Sequence, residues 1–256
     1  MPKLISPDFL EAYKTELKID LDSTFRKLGE KPAFSADDFE HYILAASLYS
    51  SKIEGNTLDE NSFFRNRYQK GFIKRKEVDE IENLAKAYKF AAENPFNKSN
   101  FLNAHKIFSK TLLNTKEQGK YRKRQVSVFD ASSLKPVYMA VEPELVTEEM
   151  AKLFVDISDL SSAKLTIEEA FYYASMIHLW IAKIHPFADG NGRAARLAEK
   201  WFLASILGRN LWSINTEKYY WDHKPEYYQN IALGFNYYAL HWERCQPFLQ
   251  MLPKSL

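Results

Sequence analysis

Between an apolar run that ends at Ile184 and another that begins at Ala194, the chain reads His185-Pro186-Phe187-Ala188-Asp189-Gly190-Asn191-Gly192-Arg193-Ala194-Ala195-Arg196. No other stretch limits the possible folds as much. Pro186 disfavours helical backbone at His185 and has no N–H to donate, so the preceding helix ends there. Gly190 and Gly192 permit backbone conformations and close approaches that side-chained residues resist. Helical spacing resumes near Arg193, which turns the first amide groups and the positive dipole end of a new helix toward the loop. The sequence therefore demands two helices joined by a tight turn, and the turn suits an anion.

The side chains extend that reading. Arg193 and Arg196 lie on neighbouring positions of the first turn, and guanidinium forks match phosphate oxygens. Asp189 is an oxygen ligand of the kind Mg²⁺ takes when it also holds phosphate. His185 is the one nearby group that accepts a proton near neutral pH. A zinc pair of His185 and Asp189 is disfavoured, because the proline and glycines destroy the helical geometry that an i, i+4 pair needs. No glycine-rich loop ends in Lys-Ser or Lys-Thr, which excludes a P-loop NTPase.

Elsewhere the period is almost wholly helical. Phe39, Ile43, Ala46, Leu48 and Ile53 predict a helix over about 36–52, with Ser35 as N-cap, Asp38 supporting it and Gly55-Asn56 ending it. Val78, Ile81, Leu84, Ala85, Tyr88 and Ala92 predict a second, stopping before Asn94-Pro95. A third opens with Ser99 as cap and frays by Asn114. Glu142-Pro143 starts a fourth that runs to about Leu160, and Thr166 caps the helix leading into the loop. Two more follow the loop, the last over about 227–250. One region alternates instead: residues 125–138 place Val126, Val128, Val137 and Tyr138 around the turn-prone Asp130-Ala131-Ser132-Ser133. That is a short hairpin, and since a lone hairpin is marginal in water it must lean on the helices. The fold class is mainly α with one small hairpin.

Composition narrows the function classes. With 46% apolar and 15% aromatic residues in 256, the chain can build a sizeable core. A net charge of +2, from 35 basic and 33 acidic residues, does not mark a nucleic-acid binder. A single cysteine, Cys245, excludes an internal disulfide and suits a reducing compartment. No signal peptide is visible over 1–10, and no apolar run approaches the roughly 18 residues of a membrane span. These observations point to a cytoplasmic protein with neither membrane nor direct nucleic-acid partners.

The loop matches, without a departure, the signature of the Fic family, His-Pro-Phe-x-Asp-Gly-Asn-Gly-Arg-x-x-Arg. Residues 81–87, His105, Gly119-Lys120-Tyr121-Arg122, the hairpin and the helix carrying His178 resemble further landmarks of that family, over about 40–235. The resemblance implies a Fic-like helical domain with a β-hairpin flap. It divides the chain into an N-terminal helical arm (1–75), a catalytic core (76–235) and a C-terminal helical extension (236–256). It also implies a protein adenylyltransferase. His185 would deprotonate a Ser, Thr or Tyr hydroxyl, whose oxygen attacks the α-phosphate of ATP and releases pyrophosphate. Asp189 would hold Mg²⁺. The backbone of Gly190, Asn191 and Gly192, with the Asn191 side chain, would cradle the α- and β-phosphates. Arg193 would meet the β-phosphate, Arg196 the γ-phosphate, and Tyr228 would lie near the adenine. The hairpin around Val126 and Tyr138 would align a segment of the target protein by strand pairing.

A second motif, Ser50-Ser51-Lys52-Ile53-Glu54-Gly55-Asn56, ends the first long helix. An acid there opposes the helix dipole and invites a partner. Ser50-x-x-x-Glu54-Gly55 resembles the family's inhibitory motif, (Ser/Thr)-x-x-x-Glu-(Gly/Asn), whose glutamate pairs with the second loop arginine. Here that arginine is Arg196, and the pairing would keep the γ-phosphate out. The resemblance leaves open removal of AMP by the same site with Glu54 orienting water, an inactive nucleotide-binding interaction module, and a homodimer. The basic stretch Arg65, Arg67, Lys70, Lys74, Arg75, Lys76 reads as a solvated face. The pairs Tyr219-Tyr220, Tyr227-Tyr228 and Tyr237-Tyr238 read as core and rim.

Overall fold

The computed structural model describes residues 4–30, 34–69, 75–129 and 135–256. The helices among them are α1 (Leu10–Glu16), α2 (Leu21–Glu30), α3 (Ala36–Ile53), α4 (Glu60–Gln69), α5 (Arg75–Glu93), α6 (Lys98–Phe108), α7 (Val146–Ser162), α8 (Ile167–Ile184), α9 (Asn191–Leu207), α10 (Thr216–Asp222), α11 (Lys224–Ile231) and α12 (Gln246–Leu249). Two strands, β1 (Ser127–Phe129) and β2 (Pro136–Met139), pair antiparallel between α6 and α7. The mainly α class with a small hairpin is what the periodicity predicts.

Capping chemistry places the helices that matter most. Ser35 and Thr166 each form a full capping box, with Asp38 and Glu169 returning a carboxylate to the cap amide. α3 closes with Glu54 as C-cap and Gly55 at φ 101, a left-handed position that glycine fills without strain. Other boundaries differ from expectation. α6 is capped by Asn97, not Ser99: the Asn97 side chain accepts from the Asn100 amide at 3.0 Å, and asparagine caps as well as serine. α7 begins at Val146, because residues 142–145 close a turn in which the Leu145 amide bonds to the Glu142 carbonyl. α9 begins at Asn191, two residues before Arg193.

The largest difference lies at the C-terminus. The helix expected over 227–250 ends at Ile231. Gly234 has φ +155, and a Cβ there would lie 2.2 Å from the Ala239 carbonyl oxygen, so the chain folds back on itself. The His241 amide then bonds to the Leu233 carbonyl at 2.7 Å. Beyond it come only short helical turns, at Trp242–Arg244, α12 and Pro253–Ser255.

α8 and α9, the helices that flank the loop, pack most extensively against each other and are buried along nearly their whole length. α5 packs on α3 and α6, and α3 on α10. The N-terminal segment is tied into the same core. Asp156 accepts from the amides of Leu4 and Ile5 at 2.7 and 2.8 Å, and Tyr13 packs on Tyr172. Burying each such large apolar side chain stabilises by about 1.5–3 kcal/mol. The hairpin meets this core through Tyr138, whose hydroxyl donates to the Lys183 carbonyl at 2.6 Å. The far edge of β2 is also covered: the Met139 amide donates to the Phe235 carbonyl at 2.7 Å and the Met139 carbonyl accepts from Tyr237 at 3.1 Å. The turn at Asp130-Ala131-Ser132-Ser133, together with Lys70 and Lys74, lies outside the described residues. No described helix is long and apolar enough to cross a membrane.

Candidate active site

The loop between α8 and α9 is held at nearly every residue. His185 has φ 53, the one positive φ of a non-glycine residue among those described. Such a conformation costs about 1–3 kcal/mol and persists only where the surroundings impose it. Here they do. The His185 amide bonds to the Ile181 carbonyl, and its own carbonyl accepts from Arg122 Nε at 2.8 Å. The Arg122 amide donates to the Pro186 carbonyl at 2.9 Å. Phe187, wholly buried, stacks on the His105 ring at 3.6 Å between centroids.

The proton positions on the two histidines follow from their partners. His185 Nδ1 lies 3.2 Å from the Ala182 carbonyl, which can only accept. Nδ1 therefore carries the hydrogen and Nε2 keeps a free lone pair. Burial pushes the imidazole down to about 4, so the ring is neutral at physiological pH. In His105 the tautomer is the other one. Its Nδ1 accepts from the Gly119 amide and its Nε2 donates to the Asp189 carbonyl, both at 3.0 Å, and burial again lowers it to about 4.

Asp189 is exposed, and one of its oxygens accepts from the Gly190 amide at 2.6 Å. The resemblance places the Asn191 side chain on phosphate; in the structure that side chain is bonded to the loop itself. Asn191 Oδ1 accepts from the Phe187 amide at 2.8 Å and Nδ2 donates to the Phe187 carbonyl at 2.9 Å, so both ends of the amide brace the loop from inside. Gly190, at φ 82, has no room for a side chain, since a Cβ would meet Phe108 at 2.8 Å. A Cβ on Gly192 would lie 2.2 Å from Glu54 Oε1. The Glu54 carboxylate thus rests against the first turn of α9, where the positive dipole end and free amides attract an anion.

The two arginines are both engaged. Arg196, 1% exposed, donates from Nε to Ser50 Oγ (2.9 Å), from Nη2 to the Ser50 carbonyl (3.0 Å) and to Glu54 Oε1 (2.7 Å), and from Nη1 to the Tyr227 hydroxyl (3.2 Å). Burial would raise the Glu54 carboxyl, but the Arg196 and Arg193 charges outweigh it and hold the group below its usual value. Tyr227 continues inward to His178 Nε2 at 3.0 Å, and His178 Nδ1 meets Glu199 at 3.1 Å. Arg193 Nη2 donates to Glu80 Oε1 at 2.7 Å, a partner that the sequence did not reveal. Tyr228 stands at the rim, its hydroxyl bonded to the Ile53 carbonyl beside Glu54. The structure therefore gathers His185, Asp189, Gly190, Gly192, Arg193, Arg196, Ser50, Glu54 and Tyr228 around one mouth, with Gly55 closing α3 behind them. Of each tyrosine pair, one ring faces inward and the other is more exposed, as the core-and-rim reading expects.

No group of three or more potential metal ligands exists among the described residues. A lone exposed carboxylate at Asp189 still fits Mg²⁺, which takes one or two protein carboxylates when phosphate and water supply the rest.

A helix N-terminus and two arginines beside a neutral histidine make a site suited to an anion, and comparison with known proteins supplies a family match. Residues 95–203 match the model of the Fic/DOC family. The family is known for AMPylation-type transfer. Among solved structures, a Fic family protein from Desulfovibrio desulfuricans G20 is similar at 22% identity and a TM-score of 0.77, covering 100% of this chain and 74% of that one. A Fic domain containing signaling protein from Bacteroides thetaiotaomicron is 18% identical with a TM-score of 0.68, over 92% of this chain and 93% of that one. The Fic-1 fragment from C. elegans is 19% identical with a TM-score of 0.65, over 96% of this chain and 68% of that one. At these identities the likeness shows a shared fold. No curated protein sequence matches the chain.

Proposed function

We propose that this protein is an autoinhibited adenylyltransferase that moves AMP from ATP to a Ser, Thr or Tyr hydroxyl of a target protein and of itself. The observation that carries the reading is the Glu54 carboxylate on Arg196 at 2.7 Å, resting on the helix N-terminus beside a neutral His185. The acceptor hydroxyl gives its proton to His185 Nε2 as its oxygen bonds to the α-phosphorus. The bond from that phosphorus to the bridging oxygen breaks, and pyrophosphate leaves with the electron pair. Arg193 and the first amides of α9 face the charge that gathers on the leaving group, which is electrostatic stabilisation without covalent catalysis. Mg²⁺ at Asp189 would neutralise phosphate charge. With Glu54 in place, Arg196 has no room for a γ-phosphate and ATP sits misaligned.

Replacing Glu54 by Gly should raise self-labelling from α-³²P-ATP by at least about tenfold, the factor set by a 1.4 kcal/mol change. Equal labelling of the two proteins would sink the inhibitory role. Adding His185→Ala to that background should abolish the signal, and retained labelling removes His185 as the base. A second reaction at the same site is hydrolysis of AMP from modified protein, with Glu54, whose carboxylate rests on the first turn of α9, orienting the water. Wild-type protein releasing AMP from a target labelled by the Glu54→Gly variant would establish it.

A further inference from the structure

The two loop arginines each face a carboxylate, but the carboxylates are anchored differently. Glu54 is the C-cap of α3, followed at once by Gly55, so it hangs from a helix end. Glu80 sits inside α5, whose Ile81, Leu84 and Ala85 are all buried. The backbone that carries Glu80 is thus fixed by a helix packed into the core, whereas the backbone that carries Glu54 is a helix end. The Glu80–Arg193 pair is also nearly enclosed, its side chains 13% and 8% exposed.

We infer that Glu80 is a positioning residue: it fixes the Arg193 guanidinium in advance for a β-phosphate, and is not a second inhibitory plug. The inference rests on the nucleotide-transfer reading above. Its chemistry starts from the donor count. A guanidinium has five N–H donors, and Glu80 takes one of them, through Nη2. Arg193 Nε is buried and has no hydrogen-bond partner among the described residues. A buried donor without an acceptor is costly, and the donors that Glu80 leaves unused are the ones a phosphate oxygen would take. A tethered arginine also loses less side-chain freedom when the phosphate binds. The β-phosphate gains charge as pyrophosphate departs, so correct placement of Arg193 acts on the chemical step as well as on binding.

The test uses nucleotides that differ by that one phosphate. In the full chain carrying Glu54→Gly, Glu80→Ala and the conservative Glu80→Gln are compared for direct binding of ADP and AMP by calorimetry, and for kcat and KM of self-labelling with ATP. Glu80→Ala should weaken ADP about tenfold, leave AMP within about twofold, and lower kcat as well as raise KM. Glu80→Gln, which keeps an acceptor oxygen, should fall between. Increased labelling in Glu80→Ala would make Glu80 a plug and overturn the inference. Equal weakening of AMP and ADP would reduce it to a structural role, and also overturns it. If the ADP-to-AMP contrast appears while no variant transfers AMP, the inference stands and the transferase reading fails. If the Glu54→Gly parent binds neither nucleotide, both fail.

Discussion

The loop between α8 and α9 and the hairpin beside it are built on opposite plans. Every polar side chain that shapes the loop is tied down: Asn191 to both backbone groups of Phe187, His105 to Asp189 and Gly119, Arg122 to His185. The hairpin has three residues in one strand and four in the other, and among them only Tyr138 is buried. Phe129, Val137 and Met139 lie in the open, at 58%, 48% and 43% of their full exposure. One edge of β2 is taken by residues 235–237, and β1 pairs only with β2 among the described residues, so strand pairing with a partner would fall to the β1 side. The contrast separates two tasks. Phosphate transfer needs atoms fixed to within fractions of an ångström, whereas reading a partner needs an accessible edge and apolar contacts. Rigidity is concentrated where the chemistry would be, and exposure where recognition would be.

The sharpest way to break this comparison is to insert a methyl into the loop. Gly190→Ala forces a left-handed backbone on a residue with a Cβ, and presses that Cβ to 2.8 Å from Phe108. The first effect alone costs about 1–2 kcal/mol, and crowding a packed ring adds to it. A loss of about 2 kcal/mol should lower the melting temperature by roughly 4–8 °C in a chain of this size. A melting temperature unchanged by this substitution would mean that the loop is softer than its contacts suggest.

Acid should act on the loop next. His185 and His105 are both held near 4 by burial, below the ordinary value of about 6.5. Between those values the unfolded chain binds protons that the folded one refuses, so stability rises with pH there. The contribution of both rings is complete above about 6.5 and is lost as pH falls toward 4. The urea midpoint should therefore drop between about pH 7 and pH 5, and the drop should shrink when His105 is replaced by Gln. Transfer by the Glu54→Gly enzyme should follow a different limit, since the base stays neutral until the folded value is approached. Activity should hold to about pH 5 and fall below it. A fall centred near 6.5 would show that His185 is not shielded.

How much of this was readable beforehand depends on the range of the interaction. The helix-loop-helix frame was legible because Pro186, Gly190 and Gly192 act on their own backbone. The caps at Ser35 and Thr166 were legible for the same reason. The Ser50-Glu54 pairing with Arg196 spans 142 residues between the glutamate and the arginine, and only the family motif gave it away. No motif marked Glu80, and its contact with Arg193 across 113 residues exists only because α5 docks beside α9. The bracing role of Asn191 was not legible, because an amide in a tight loop can serve a ligand or the loop and composition does not distinguish them. The long helix expected over 227–250 overlooked Gly234, whose backbone contact with Ala239 decides the fold-back that lays residues 235–237 on β2.

The smallest expected effect on stability tests the other half of the comparison. Phe129 is 58% exposed at the end of β1, a strand that pairs only with β2 among the described residues. Removing a side chain that is already largely in water forfeits little burial, so Phe129→Ser should change stability by no more than about 0.5 kcal/mol. In the Glu54→Gly background the same substitution should cut labelling of other proteins in a lysate several-fold, because an apolar contact next to the pairing edge is gone. ADP binding should not move, since the loop is untouched. A melting shift as large as that of Gly190→Ala would place Phe129 in the folding core and erase the distinction. Unchanged labelling with unchanged stability would leave the loop's half of the contrast intact and remove recognition from this strand.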